Sequence, residues 1–189
     1  EDPLLIAAAK RLLGTVELRL GNFNRSERLL KEVLQTSEEF ADDDYGIYSK
    51  GFAQYGLGDL EYERGNTRRA GEWYQRALET WRDPVRKDPV RHITYALNGL
   101  GFVALKEKRF EEAQQYFKEG IQSAREFGRV DEIARGQLGL ASVFYETGTD
   151  LKAALMLINE STESFQQQGM QYEIQNSQVL REKIIRALS

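Results

Sequence analysis

Between residues 57 and 77 the chain reads LGDLEYERGNTRRAGEWYQRA. A Leu57-Gly58 pair is followed by a polar turn, Gly65-Asn66-Thr67, and then by Ala70, Tyr74 and Ala77 at helical steps. The same grammar recurs upstream as Leu13-Gly14, Gly21-Asn22-Phe23, Ser26, Leu30 and Val33. Downstream it reads Leu100-Gly101, Lys108-Arg109-Phe110, Ala113, Phe117 and Gly120, then Leu140-Ala141, Gly148-Thr149-Asp150, Ala153 and Leu157. From Gly14 the steps to Gly58, Gly101 and Ala141 are 44, 43 and 40 residues, with Leu138-Gly139 a competing register for the last. A fixed period of this size marks a repeat array, in which each unit is one supersecondary element.

The periodicity inside the units is helical. Phe110, Ala113, Tyr116, Phe117 and Ile121 recur at three- and four-residue steps, as do Ala70, Tyr74, Ala77, Leu78 and Trp81. No sustained two-residue alternation or hairpin turn signal is present, so the sequence predicts an all-α fold. The predicted helices span 4–20, 25–40, 44–64, 67–81, 89–107, 110–127, 131–146, 150–168 and 171–188. They pair into units 4–41, 44–82, 88–128 and 131–169, a single domain over 1–189 with a C-terminal helix. Asp83-Pro84 and Asp88-Pro89 bracket a loop, because the residue before proline is pushed out of helical geometry. Asn66-Thr67 and Thr149-Asp150 read as helix N-caps.

Composition narrows the chemistry. The 189 residues hold no Cys, one His (His92) and a net charge of −4. Absence of Cys removes disulfides, thiolate metal sites and Cys nucleophiles, and is compatible with a cytoplasmic location. One His precludes a multi-histidine metal site. The acidic balance argues against direct nucleic-acid binding, which needs a basic face to displace counterions. No apolar run approaches the length that spans a bilayer, so no membrane partner is expected. Glu1-Asp2-Pro3 carries no Met and no signal-peptide pattern, and reads as the cut edge of a longer chain.

The ordered set of Leu-Gly, polar turn, small residue and aromatic resembles the tetratricopeptide repeat (TPR). The resemblance implies an α-solenoid, a right-handed superhelix of about four helix pairs plus the C-terminal helix, and a non-catalytic role in binding a protein or peptide. The units exceed the family's usual 34 residues. Repeats of that length are similar to the sensor domains of bacterial signal-transducing ATPases and LuxR-type maltose-regulator-like activators, and occur in Rap-type and G-protein-modulator proteins. That likeness gives the alternative function, a ligand- or peptide-sensing domain of a larger regulator. HEAT repeats match the period but usually carry Pro in the first helix, which is missing here.

The resemblance also points to the surface that would bind. With Leu-Gly taken as positions seven and eight, the inward positions two, five, nine and twelve are Ala8, Arg11, Thr15 and Leu18 in the first unit. They are Phe52, Tyr55, Asp59 and Tyr62 in the second, Tyr95, Asn98, Phe102 and Leu105 in the third, and Arg135, Leu138, Ser142 and Tyr145 in the fourth. The candidate partner-binding residues are therefore Arg11, Thr15, Phe52, Tyr55, Asp59, Tyr62, Tyr95, Asn98, Phe102, Arg135 and Tyr145. Rigid aromatics bury large area at low entropic cost. Asn98 suits a peptide backbone, and Arg11, Arg19 and Arg135 suit carboxylates. The same aromatics equally suit packing against neighbouring helices. The Lys/Asn pair of the family's C-terminal-carboxylate clamp is missing.

Other features carry less. Gly56-Leu57-Gly58 and Gly99-Leu100-Gly101 sit inside helices with no preceding strand, so they read as packing glycines, not a dinucleotide loop. His92 reads as a solvated residue at a helix start. Adjacent carboxylates such as Glu38-Glu39 and Glu111-Glu112 diverge around a helix. Asp42-Asp43-Asp44 suits a helix start, and Arg82, Arg86, Lys87 and Arg91 read as a solvated loop patch. No catalytic residue, metal site or cofactor is expected. The C-terminal helix, with Tyr172, Ile174, Val179, Leu180, Ile184, Ile185 and Leu188, either caps the last pair or offers a face for a homodimer or a docking partner.

Overall fold

The computed structural model describes residues 2–82 and 92–189. Among these residues the chain is nine α-helices and no strand. They are α1 (Pro3–Arg19), α2 (Phe23–Glu39), α3 (Asp44–Glu63), α4 (Thr67–Trp81), α5 (Ile93–Lys106), α6 (Phe110–Glu126), α7 (Val130–Thr147), α8 (Leu151–Gln167) and α9 (Gln171–Leu188). The sequence places eight of the nine within two residues of these bounds. The Asp83-Pro84 and Asp88-Pro89 loop, the predicted start of α5 at 89, and Arg86, Lys87 and Arg91 lie outside the described residues. Odd-numbered helices from α1 to α7 carry the Leu-Gly or Leu-Ala pair and are called A helices; the even-numbered ones are B helices.

The chain forms two compact units, Glu1–Gly99 and Leu100–Ser189, with the boundary inside α5. Within the first, Leu30, Leu57 and Leu60 form one buried cluster and Ala7, Val33 and Ala53 another. Within the second, Phe117 and Ile121 pack with Leu140 and Val143, and Ala154, Ile158 and Ile184 join Ala141.

Glycine is the device that lets these helices meet. A Cβ at Gly58 would stand 2.5 Å from the Tyr74 ring, and one at Gly99 would stand 2.8 Å from the same ring. Tyr74 is thus clasped between its own A helix and the next one. In the second unit Phe117 is clasped in the same way, 2.6 Å from a Cβ at Gly101 and 2.2 Å from one at Gly139. Real Cβ atoms do not approach carbon so closely, so only glycine permits these crossings. The Leu-Gly signature therefore contains half of the contact. The other half is the glycine immediately before the pair, Gly56, Gly99 or Gly139.

The fourth unit differs from the sequence reading by one residue. The buried pair on α8 is Ala154 and Ile158, while Ala153 and Leu157 are only half-buried. Asp150 is the N-cap, and its side chain accepts from the Ala153 N–H at 2.9 Å. That bond fixes the helix start and rotates Ala153 away from the core. Asn66 does not cap in this manner. Its amide donates instead to Glu61 Oε2 at 2.7 Å, and Asn22 does the same to Glu17 Oε2 at 2.8 Å. Both carboxylates are buried and receive a second partner, Arg64 on Glu61 and Arg25 on Glu17. Each bond ties the A helix to the turn that ends it, satisfying a carboxylate whose isolated burial would be costly.

Candidate functional site

Most of the positions that the family register names inward share one property. Of the sixteen, fourteen are half-buried, neither sealed in the core nor fully solvated. Thr15 is exposed, and its hydroxyl donates to the Arg11 carbonyl at 3.1 Å. Asn98 is 1% exposed and so is sealed, unlike the others. Half-burial follows from the helix pattern: side chains four residues apart on one face lean on a packed neighbour at one edge and reach solvent at the other.

In the first unit the row is a continuous set of rings. Phe52 lies 5.4 Å from Tyr95 and 5.0 Å from Trp81, and Tyr55 lies 5.4 Å from Tyr95 and 5.6 Å from Tyr74. The Arg11 guanidinium sits over the Phe52 ring at 4.9 Å and over Tyr48 at 5.8 Å. These are favourable edge-to-face, tilted and cation–π geometries. They bring Arg11, Phe52, Tyr55 and Tyr95 together. Asp59 joins them through Tyr74, whose hydroxyl donates to Asp59 Oδ1 at 2.7 Å. Tyr62 continues the same face of α3 one turn on.

The second unit holds the remaining positions. Phe102 meets Phe117 edge-on at 5.0 Å. Arg135 reaches Glu132 at 3.8 Å, and Glu132 is buried. Leu138 and Tyr145 lean on the cluster of Ala141, Ala154, Ile158 and Ile184. Phe102 and Tyr145 are therefore partly committed to internal packing, the alternative that the sequence left open.

Three residues of the ring cluster are not among the candidate binding residues read from the sequence. Tyr48 lies 4.7 Å from Phe52 with the rings tilted, and Trp81 meets Phe52, Tyr55 and Tyr95 from α4. His92 is not solvated at its helix start. It is 6% exposed, with Tyr48 and Phe52 at 5.1 and 5.0 Å and Trp81 at 5.8 Å. The available signal was register: His92 stands eight residues before Leu100, as Ser49 does before Leu57 and Glu132 before Leu140, and all three are buried.

Electrostatics around the rows are local. Glu27 is held below the usual carboxylate range by hydrogen bonds from Lys31 and Arg64. Burial raises the Tyr116 hydroxyl above its ordinary value, helped by Glu112. Arg109 is raised by its bonds to Glu112 and Glu107. Shallow depressions on the outer faces of α2 and α6 are each lined by the polar side chains of one helix. Among the described residues no three His, Asp or Glu side chains converge to hold a metal ion, and no helix is long and apolar enough to cross a membrane.

Helix hairpins whose A helices present a half-buried aromatic row define an all-α repeat protein of the solenoid class. Models of the tetratricopeptide repeat match residues 5–83 and 94–127, more than half of the chain. The chain belongs to the tetratricopeptide repeat family. Repeats of this family generally mediate protein–protein interactions and are generally non-catalytic scaffolds. A solved structure with the same fold is that of BtubC (BKLC) from P. vanneervenii, with a TM-score of 0.68 and 18% sequence identity over 98% of this chain and 82% of that one. No curated protein matches the chain.

Proposed function

We propose that this chain is a non-catalytic, cytoplasmic interaction module, one repeat domain over its whole length, that takes a peptide or protein segment in an aromatic-rich groove along its A helices. One observation supports the reading most: the half-burial of the row. Arg11, Phe52, Tyr55, Asp59, Tyr62 and Tyr95 are half-buried in the first unit, and the buried Trp81 and His92 pack against Phe52 and Tyr95. Anchors already fixed in rotamer lose little entropy on binding. Phe102, Arg135 and Tyr145 offer a similar surface in the second unit, and α9 a secondary docking face with Tyr172 and Val179 exposed.

The test is selection of binding peptides from a random display library, followed by affinity measurement on Tyr55→Ala and Tyr62→Ala. Each variant should weaken binding at least about tenfold with helicity unchanged, the loss typical of an aromatic anchor. Unchanged affinity in both would remove the groove. The second reading, a ligand- or peptide-sensing domain of a larger signal-transduction ATPase or LuxR-type regulator, rests on the 40–44-residue unit. A metabolite that binds only the folded state would raise the melting temperature and favour it.

A further inference from the structure

The outer face of α1 breaks the repeat pattern. In the interior A helices the positions six and ten of the unit are sealed by the preceding B helix: Gly56 and Leu60 in α3, Gly139 and Val143 in α7. In α1 those positions are Leu12 and Val16, and they are 57% and 52% exposed. Leu5 is 67% exposed on the same face, with Ala9 exposed between. Leu12 stands where α3 has the glycine that α2 approaches. At the interior position the incoming Leu30 side chain stands 3.0 Å from a Cβ at Gly56, and α1 carries a whole leucine there.

The spacing of the exposed residues supplies the occupant. Leu5, Ala9, Leu12 and Val16 step by four, three and four, the seam of a heptad. With Leu5 and Leu12 at d and Ala9 and Val16 at a, the seam is complementary to itself when reversed. An antiparallel copy sets Leu12 against Ala9 and Leu5 against Val16, a large residue on a small one at the centre. The flanking positions are Ile6, Ala8, Leu13 and Thr15, so no charge on one copy meets a like charge on the other. The opposite face of the helix, Ala7 and Gly14, is already buried within the unit. Exposed apolar surface on α1 amounts to roughly 600 Å² per copy, so a pair hides up to about 1,200 Å², the lower edge of what stable specific interfaces bury. The exposed apolar residues of α9 are instead interleaved with Arg181, Glu182, Lys183 and Arg186.

We infer that two copies of this chain associate through α1, antiparallel about a two-fold axis that passes between residues 10 and 11. Buried area does not by itself set affinity, so the association is followed over two decades of concentration. Sedimentation equilibrium of the 189-residue chain, loaded from about 5 to 500 µM, should show a monomer–dimer equilibrium. Leu12→Asp should weaken it at least tenfold while leaving the circular dichroism spectrum unchanged and, at concentrations where the natural chain is monomeric, the unfolding midpoint close to that of the natural chain, because Leu12 is exposed. Val179→Asp should leave it unaltered. A chain monomeric throughout overturns the inference, as does a dimer lost in Val179→Asp and kept in Leu12→Asp.

Register is tested separately, since the natural chain has no Cys. Ala9→Cys and Leu12→Cys proteins, mixed and oxidised, should cross-link to each other in preference to themselves. Preferential 9–9 and 12–12 links would show a parallel pair and overturn the antiparallel one.

Discussion

Gly139→Ala puts the glycine clasp to its most direct test. The new Cβ would lie 2.2 Å from Phe117 Cε1, 2.3 Å from Cζ and 2.6 Å from Cδ1. An ordinary contact needs the ring to withdraw by more than about 1 Å. It has nowhere to go, because Phe117 is fully buried and its far side already meets α5 at Gly101. Overpacking of this kind costs about 3 kcal/mol, the upper end of the usual range, since backbone on both sides must give. Against it stands a gain of about 1 kcal/mol, the helix propensity of Ala over Gly. The net expectation is a loss of about 2 kcal/mol, or roughly thirtyfold in the folding equilibrium. Urea unfolding followed by circular dichroism measures it. Phe117→Leu should relieve the clash, so the double variant should be more stable than the two single losses add up to, by about 1 kcal/mol or more. If Gly139→Ala were as stable as the natural chain or more so, propensity alone would govern the position and the clasp would be refuted.

Other expectations follow from the turns and the charges. Lys108 occupies the left-handed region at φ 60°, where the equivalent turn residue Gly65 stands at φ 81°. Lys108→Gly should therefore stabilise the second unit by about 0.5–1 kcal/mol in the same urea assay, and a loss would contradict the strain. Asp150→Ala removes the cap on Ala153 and should cost about 1 kcal/mol, whereas Asp150→Asn should cost much less. Asn66→Ala strips a partner from the buried Glu61 carboxylate and should cost about 1–2 kcal/mol, more than the same change at the exposed Asn24. Glu27 has a folded-state value below its unfolded one, because Lys31 and Arg64 hydrogen-bond its charged form. Its contribution is complete above the unfolded value and disappears as pH falls through the folded one. Stability should then drop below about pH 4.5 more in the natural chain than in Glu27→Gln, with equal slopes refuting the assignment.

The helices and their pairing were legible from sequence because both depend on short-range patterns. Apolar residues at three- and four-residue steps, Gly at left-handed turns and small residues at crossings leave their mark within one unit of chain. The half-burial along the A helices was legible for the same reason, since one register applied four times names fourteen half-buried positions, with Thr15 and Asn98 the exceptions. What the sequence could not supply was the occupancy of each position's surroundings. His92 and Asn98 have polar side chains that suit solvent as well as an interior, and only the rings of Tyr48, Phe52 and Trp81 closing over the former decide its burial. Ala153 and Ala154 are adjacent and alike, so a single capping bond from Asp150 chose between them. Leu12 and Leu60 are both leucines on A helices, yet one is bare and one is sealed. That difference arises from whether a B helix lies across them, a long-range contact that residue type does not encode.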